Sequence, residues 1–311
     1  MASVAVTRRL PGPALERLAE RHAVDVWPGD LPPGPDELAG LVLGAEGLLC
    51  LLTDTVDEQL LAGAPRLRAI ANYAVGSDNI DLAAAAARAI PVGVTPDVLT
   101  DATADLAMGL LLAVARRLPQ AHSAVRSGAW RTWEPRGWLG LELAGATLLI
   151  VGGGRIGGAV AHRAQAFGMK VVIAGRDDDL HVLLARADAV SLHVPLTPET
   201  TRLIDERALR AMQRHAVLVN TARGGVVDQA ALGRALHEGW IAGAGLDVTD
   251  PEPLPADDPL LGAPNLLVLP HIGSATHAAR ERMAELAVDN LLAALDGRPM
   301  PHPAPTKRRA T

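Results

Sequence analysis

Three charged side chains, Arg223, Glu252 and His271, each lie shortly after an apolar run that is predicted to be a buried strand. In open parallel sheets, ligands bind outside the carboxyl ends of the strands, so we expect these side chains at one ligand-binding edge. A protonated histidine gives a proton near neutral pH, and a neighbouring carboxylate stabilises the imidazolium. The planar fork of an arginine holds a carboxylate and polarises a carbonyl. The set therefore suits reduction of a 2-keto acid, with His271 protonating the developing alkoxide.

Each of these residues alone also has an ordinary structural explanation. His271 could be a loop histidine with satisfied hydrogen bonds, Glu252 a solvated acid, and Arg223 a partner in a structural ion pair. The interpretation as one site depends on finding all three downstream of a nucleotide-binding turn.

Such a turn is present upstream. Gly152, Gly154 and Gly157 form the pattern G-x-G-x-x-G between the apolar run Thr147–Val151 and a predicted helix, and a second strand ends near residue 174. The first glycine permits a tight turn, the second lets the backbone approach a pyrophosphate, and the third lets helix and strand pack closely. The pyrophosphate would lie at the helix N-terminus, where free N–H groups favour negative charge. The sequence therefore predicts a dinucleotide cofactor.

The residues after the second strand bear on which dinucleotide binds. An NAD site places an acid there for the ribose 2′-OH, but this position falls at about Gly175 and is followed by Arg176. A missing acid beside an arginine favours NADP(H) over NAD(H). The run Asp177–Asp179 follows, and these aspartates could repel a 2′-phosphate or pair with Arg176. NAD(H) therefore stays open.

The elements that position these groups alternate between short strands and helices in two series. This alternation predicts an α/β fold with two Rossmann-like, doubly wound parallel sheets. A long helix from Thr100 to about Arg117 follows the first series, so we expect the break near residues 95–100. The proline-rich, basic segment Gly297–Thr311 is expected to be mobile.

Composition excludes several classes of protein. The 311 residues are 49% hydrophobic and 21% charged, which is typical of a globular chain. A net charge of −6 argues against nucleic acid or a membrane surface as partner, and a small anionic substrate would need a local cationic site. The N-terminus reaches charges and proline too early for a signal peptide, so we expect a cytoplasmic protein. A single cysteine, Cys50, excludes a disulfide framework, and we expect no metal.

Over nearly its whole length the chain resembles the D-isomer-specific 2-hydroxyacid dehydrogenases, and within them the glyoxylate/hydroxypyruvate reductases. The segments that carry the resemblance are NYAVGSDNID, IVGGGRIGGAVA, HVPLTPET, NTARGGVVD, AGLDVTDPEPLP and LPHIGSATHAAR. The resemblance implies reduction of glyoxylate and hydroxypyruvate by NADPH or NADH. It also implies that Arg223, Glu252 and His271 act together, with Glu252 orienting the histidine.

The resemblance assigns further site residues. The backbone of Val75 and Gly76 would bind the substrate carboxylate together with Arg223, and Asp247 would meet the nicotinamide carboxamide. Besides the glycines of the turn and Arg176, the expected cofactor contacts are Thr103, Arg155, Ile156, Val194, Pro195, Leu196, Thr200, Thr221, Ala222 and Gly273.

The resemblance also implies a discontinuous substrate domain, residues 1–96 plus 286–311, and a dinucleotide-binding domain, residues 97–285. The latter would include a dimerisation helix and arm at about residues 100–140. Trp130, Trp133 and Trp138 lie in this arm, and aromatic residues are favoured interface anchors. We therefore expect a homodimer in which Trp138 reaches the neighbour's substrate site. Packing within one chain is the alternative.

In one segment the chain departs from the family. Only DDDLHVLLARAD separates Arg176 from the predicted strand Ala189–Val194, where the family usually has a helix and a short strand that wall the adenine side. Two other functions stay open. The same residues would serve a dehydrogenase of 3-phosphoglycerate, D-lactate or a bulkier keto acid. They would also occur in a nucleotide-sensing interaction protein that resembles the C-terminal-binding-protein corepressors.

Overall fold

A computed structural model describes residues 1–305. The chain divides into two compact units. Within the described residues, the first unit consists of residues 1–99 and 275–305, and the second unit runs from Thr100 to Ser274.

Strands and helices alternate along both units. The first 99 residues contain β1 (Ser3–Val6), α1 (Ala14–Ala19), β2 (Ala23–Val26), α2 (Pro35–Val42), β3 (Gly47–Cys50), α3 (Glu58–Gly63), β4 (Ala69–Asn72), α4 (Leu82–Ala87) and β5 (Val92–Gly93). The second unit contains α5 (Thr100–Ala115), α6 (Leu118–Arg126), β6 (Thr147–Val151), α7 (Arg155–Ala166), β7 (Lys170–Ala174), α8 (Leu180–Leu184), β8 (Ala189–Leu192), α9 (Glu206–Ala211), β9 (Val217–Asn220), α10 (Gln229–His237), β10 (Gly243–Leu246) and β11 (Leu266–Val268). The helix α11 (His277–Leu295) returns to the first unit.

The first unit is built on a five-stranded parallel sheet in the order β2-β1-β3-β4-β5. This is the doubly wound order of flavodoxin-like folds. Strands β3 and β4 are buried along their full length because helices cover both faces of the sheet.

Helix α11 determines where the second unit ends. Its buried side chains Met283, Val288 and Leu291 pack with β1, β3 and β4 of the first sheet. The helix is unbroken from its N-cap Thr276, whose hydroxyl accepts a hydrogen bond from the Ala279 N–H. The boundary expected at 285/286 would cut this helix, and residues 275–285 instead belong with the first unit.

The proline-rich C-terminal segment is held against β5 as far as it is described. The Val94 N–H donates to the His302 carbonyl at 2.9 Å, and the Ala304 N–H donates to the Val92 carbonyl at 2.7 Å. Prolines lack an N–H but tolerate the extended conformation of an edge position. The expectation of mobility is therefore wrong up to residue 305, and residues 306–311 lie outside the described part of the chain.

The second unit contains a six-stranded parallel sheet in the order β11-β10-β9-β8-β6-β7. Helices α5 and α7 cover one face through Leu110, Val160 and their neighbours, and α8, α9 and α10 cover the other. The prediction of two doubly wound parallel sheets is confirmed. Within residues 1–305, no helix has the length and apolar character needed to span a membrane.

Candidate active site

The glycine turn joins β6 to α7 through close backbone contacts. Gly152 has a φ of +100°, and a Cβ there would lie 2.7 Å from the His193 carbonyl oxygen. A Cβ at Gly157 would overlap the carbonyl oxygen of Gly152. Gly154 is the N-cap of α7, and a Cβ there would meet no heavy atom within 4 Å. The turn is therefore a bare backbone cradle at a helix N-terminus, which suits a pyrophosphate.

We predict that Gly157→Ala weakens dinucleotide binding at least tenfold and destabilises the protein by about 1–3 kcal/mol, because the added methyl group meets fixed backbone. Gly158→Ala is the matched control. It adds the same methyl group one residue along α7, where nothing lies within 4 Å, and should stabilise the helix by up to about 1 kcal/mol. Calorimetric titration and thermal unfolding measure both effects, and equal behaviour of the two variants would contradict the close-packing role of Gly157.

The carboxyl end of the same sheet brings several predicted cofactor residues together. Asp247, which follows β10, is buried, and its two carboxylate oxygens accept hydrogen bonds from the Ile272 and Gly273 N–H groups, both at 2.7 Å. Burial raises the pKa of Asp247 and outweighs the opposing effect of these two hydrogen bonds. The Thr103 hydroxyl donates to the Gly273 carbonyl at 3.2 Å. Asp247 therefore fixes the backbone of the turn at Ile272 and Gly273 without any ligand.

One buried hydroxyl at this edge lacks a partner. The Oγ1 atom of Thr221, directly after β9, is buried and has no hydrogen-bond partner among residues 1–305. Buried polar groups are nearly always satisfied, so an unsatisfied one at a ligand edge calls for an explanation. A polar group of a bound nicotinamide cofactor would satisfy Thr221, so this atom and the glycine cradle both fit such a group.

The loop after β8 is ordered by threonine side chains. The Thr200 hydroxyl donates to the Pro195 carbonyl at 2.6 Å and accepts from the Thr197 N–H at 2.8 Å. This fixes the backbone of Val194 and Leu196, two of the expected cofactor contacts. His193, at the start of the loop, hydrogen-bonds Ser191 at 2.8 Å, and burial lowers its pKa to about 4. It is therefore neutral at pH 7 and has a structural role.

His271 and Glu252 are paired. The His271 Nδ1 atom lies 2.9 Å from Glu252 Oε2, and Glu252 Oε1 accepts a hydrogen bond from the Thr249 N–H at 3.0 Å. The backbone of His271 is in the left-handed region, with a φ of +55°, and its N–H donates to the Asp247 carbonyl. Non-glycine residues seldom adopt this conformation, and such residues cluster at functional sites. Because Nδ1 is engaged by Glu252, Nε2 is the ring nitrogen that remains for a substrate.

The electrostatics of the pair favour an ionised Glu252. Burial raises the pKa of Glu252, but the hydrogen bond and charge of His271, the Thr249 N–H and the charge of Arg223 together bring it below its usual value. Glu252 is therefore a carboxylate at neutral pH. A fixed negative charge beside an imidazole stabilises the protonated ring.

Arg223 follows β9 in an extended conformation, and its Nη1 donates to the Ala222 carbonyl at 2.8 Å. Sequence reasoning missed the residue that supports it. The Asn220 side chain, buried at the end of β9, donates to the Arg223 carbonyl at 2.9 Å and accepts from the Ala222 N–H at 3.0 Å. A polar residue ending an otherwise apolar strand was the available signal. Thr249, which holds Glu252, had no such signal.

The first unit contains the loop after β4 with Val75 and Gly76. The N–H groups of these two residues donate no hydrogen bond among residues 1–305. The loop itself is well anchored, because the Asn72 side chain donates to the Gly76 carbonyl at 2.8 Å and to Asn79 at 2.9 Å. Two unpaired N–H groups on an ordered loop can bind an anion.

Two other expected site residues lie on exposed segments of the second unit. The Arg176 side chain is exposed and forms no hydrogen bond or ion pair within residues 1–305. Trp138 lies in the arm after α6 and is also exposed. Among residues 1–305, no group of three or more His, Cys, Asp and Glu side chains is placed to hold a metal ion.

A glycine cradle at the edge of a doubly wound sheet, with a histidine–carboxylate pair at the carboxyl ends of neighbouring strands, defines a nicotinamide-dependent oxidoreductase. Comparison with known proteins agrees. Residues 108–273, nearly all of the second unit, match the family model for the D-isomer specific 2-hydroxyacid dehydrogenase, NAD binding domain. The chain belongs to this family, as its motifs predicted, and is an NAD(P)-dependent oxidoreductase.

Similar proteins narrow the class further. A glyoxylate reductase of Korarchaeum cryptofilum is 48% identical over 304 residues, covering 93% of this chain and 92% of that protein. A crystal structure of the TT0316 protein from Thermus thermophilus has a TM-score of 0.92 and 52% identity, covering 97% of this chain and 100% of that one. The NADPH-dependent glyoxylate/hydroxypyruvate reductase of Sinorhizobium meliloti, solved with NADP and malonate, has a TM-score of 0.84 and 34% identity, covering 100% and 99%. These relatives support reduction of keto acids.

Proposed function

We propose that the protein reduces small 2-keto acids, glyoxylate and hydroxypyruvate first, to 2-hydroxy acids. The observation that carries the proposal is the His271–Glu252 pair at the same sheet edge as the glycine cradle. The relatives named as glyoxylate and hydroxypyruvate reductases support the choice of substrate.

Each residue of the site has a separate task in this reaction. The nicotinamide, when bound, supplies the hydride. His271 donates a proton from Nε2 to the carbonyl oxygen as the alkoxide develops, and Glu252 keeps the ring oriented and charged. Arg223 holds the substrate carboxylate and polarises the carbonyl. In the first unit, the N–H groups of Val75 and Gly76 donate no hydrogen bond among residues 1–305, and we propose that they bind an anionic group such as a carboxylate.

For the cofactor we propose NADP(H) over NAD(H). Arg176 pairs with none of the three aspartates that follow it. Asp178 accepts from the Gly175 N–H, and Asp179 accepts from the His181 and Val182 N–H groups at the start of α8. The guanidinium is therefore available to a 2′-phosphate. A lower Kd for NADP⁺ than for NAD⁺ in a binding titration is the expected result.

The experiment that tests the function is a steady-state assay of NADPH and NADH oxidation over a panel of 2-keto acids. We expect the highest kcat/KM with glyoxylate or hydroxypyruvate. A higher kcat/KM with 3-phosphohydroxypyruvate, pyruvate or a bulkier keto acid would change the assigned substrate but not the proposed reaction chemistry. Dinucleotide binding without turnover of any acid would favour the nucleotide-sensing alternative.

We also propose a homodimer formed through the arm at residues 127–140. Trp130 and Trp133 are 59% and 78% exposed, and Leu139 is also exposed, so this segment presents apolar surface that residues 1–305 do not cover. Trp138 would reach the partner's substrate site. Light scattering should give a dimer mass, and Trp130→Ser with Trp133→Ser should give a monomer. Leu31→Ser, which removes an equally exposed apolar residue of the first unit, should leave the dimer intact.

The proposed location is the cytoplasm. Cell fractionation followed by an NADPH-dependent activity assay tests this location.

A further inference from the structure

Among the described residues, the cofactor-binding sheet of the second unit lacks the strand that usually pairs with the outer side of its second strand, β7. The usual strand order of a dinucleotide-binding sheet is 3-2-1-4-5-6. With β6 as the first strand and β7 as the second, β8 to β10 take the places of strands 4 to 6, and no described strand pairs with the outer edge of β7. Val172 and Ile173 of β7 are accordingly 37% and 47% exposed. The short segment from Gly175 to Asp179 leads from β7 directly into α8. In dinucleotide-binding sheets, the residues after this strand bind the ribose of the cofactor.

Within this segment, a carboxylate occupies the region that an acid at position 175 would have occupied. Asp178 Oδ2 accepts a hydrogen bond from the Gly175 N–H at 2.8 Å. The same oxygen lies 3.5 Å from the point where a Cβ of residue 175 would be. The carboxylate has folded back across the turn to the end of β7, where NAD sites place their acid.

The two neighbouring aspartates differ from Asp178. Asp179 uses Oδ1 to cap α8, accepting from the His181 and Val182 N–H groups. Asp177 makes no hydrogen bond or ion pair within residues 1–305. Only Asp178 is held beside Gly175 by a contact of its own side chain, and its Oδ1 has no partner among residues 1–305.

We propose that Asp178 supplies the acid that Gly175 lacks, so that this one turn recognises both forms of the cofactor. Asp178 Oδ1 accepts the hydrogen bond of the ribose 2′-OH of NAD(H), and Arg176 pairs with the 2′-phosphate of NADP(H). The two side chains act against each other, because the carboxylate repels the phosphate that the guanidinium attracts. Asp178 thereby limits the preference for NADP(H). This inference depends on the proposed dinucleotide site and not on the identity of the keto acid.

The test is calorimetric titration of the full-length protein with NADP⁺ and with NAD⁺, in the absence of substrate. Asp178→Asn keeps an oxygen for the Gly175 N–H but removes the charge and one acceptor. We expect it to bind NAD⁺ about five- to twentyfold more weakly and NADP⁺ more tightly. Arg176→Gln should weaken NADP⁺ binding by a similar factor and leave NAD⁺ binding unchanged.

Asp177→Asn is the matched control, because it removes the same charge one residue away. It should tighten NADP⁺ binding modestly through the lost charge and leave NAD⁺ binding unchanged. An equal loss of NAD⁺ affinity in Asp177→Asn and Asp178→Asn would overturn the proposal, as would an unchanged NAD⁺ affinity in both Asp178→Asn and Asp178→Ala. If the unmodified protein binds neither dinucleotide, the assignment of the cofactor site is wrong, and the role of Asp178 falls with it. If it binds both and reduces no keto acid, only the proposed reaction fails.

Discussion

His271→Ala should lower kcat by about 10²- to 10⁴-fold while the Kd for NADP⁺ stays within about twofold of the unmodified value. At the carboxyl ends of the second unit's strands, the imidazole of His271 has the carboxylate of Glu252 fixed 2.9 Å from its Nδ1. Its loss removes proton transfer in the transition state. Its contacts are made with Glu252 and Asp247 and not with the glycine cradle, so cofactor affinity should persist.

Two further variants separate a catalytic effect from a structural one. Glu252→Gln keeps the shape of the pair but removes the charge that stabilises the imidazolium, so kcat should fall less than in His271→Ala and its pH profile should shift. His237→Ala, at an exposed histidine of α10, should leave kcat unchanged. Near-normal turnover of His271→Ala with glyoxylate would refute the proposed mechanism. Loss of cofactor binding in the same variant would show that it had disturbed the fold.

The features that the sequence predicted well are formed by residues that lie close together along the chain. The turn at Gly152–Gly157 lies between a strand and a helix within one short segment, so its pattern alone predicted the cradle. Likewise, apolar runs predicted the strands that Arg223 and His271 follow. Parallel strands bring their carboxyl ends to one edge, so the order of elements was enough to predict that these residues share that edge.

The features that the sequence did not predict depend on the direction of individual side chains or on contacts between residues far apart in the sequence. The folding back of Asp178 onto Gly175 is not visible in a run of three aspartates, since each could cap a turn. The assignment of residues 275–285 to the first unit follows from the packing of α11 on a sheet whose last strand ends at Gly93, far earlier in the chain. The pairing of the C-terminal segment with β5 is of the same kind.

Arg223→Ala should lower kcat/KM for glyoxylate by about 10²- to 10⁴-fold, mainly through a higher KM. The substrate's carboxylate would lose a charged, two-pronged partner in a partly buried site, which costs several kcal/mol. The cofactor Kd should not change, because Arg223 projects from the end of β9 and not from the glycine turn.

The arginine's geometry makes this effect specific to its fork-shaped head group. Asn220 binds both the Arg223 carbonyl and the Ala222 N–H, so the backbone that carries the side chain is fixed before substrate arrives. Arg223→Lys keeps the charge but not the planar fork, and should recover only part of the lost kcat/KM. Added guanidinium ion should partly rescue Arg223→Ala and leave Arg223→Lys nearly unaffected. Arg214→Ala, at an exposed arginine after α9, is the control and should behave like the unmodified enzyme. If Arg223→Ala and Arg214→Ala have the same KM for glyoxylate, substrate binding must be assigned to another cation.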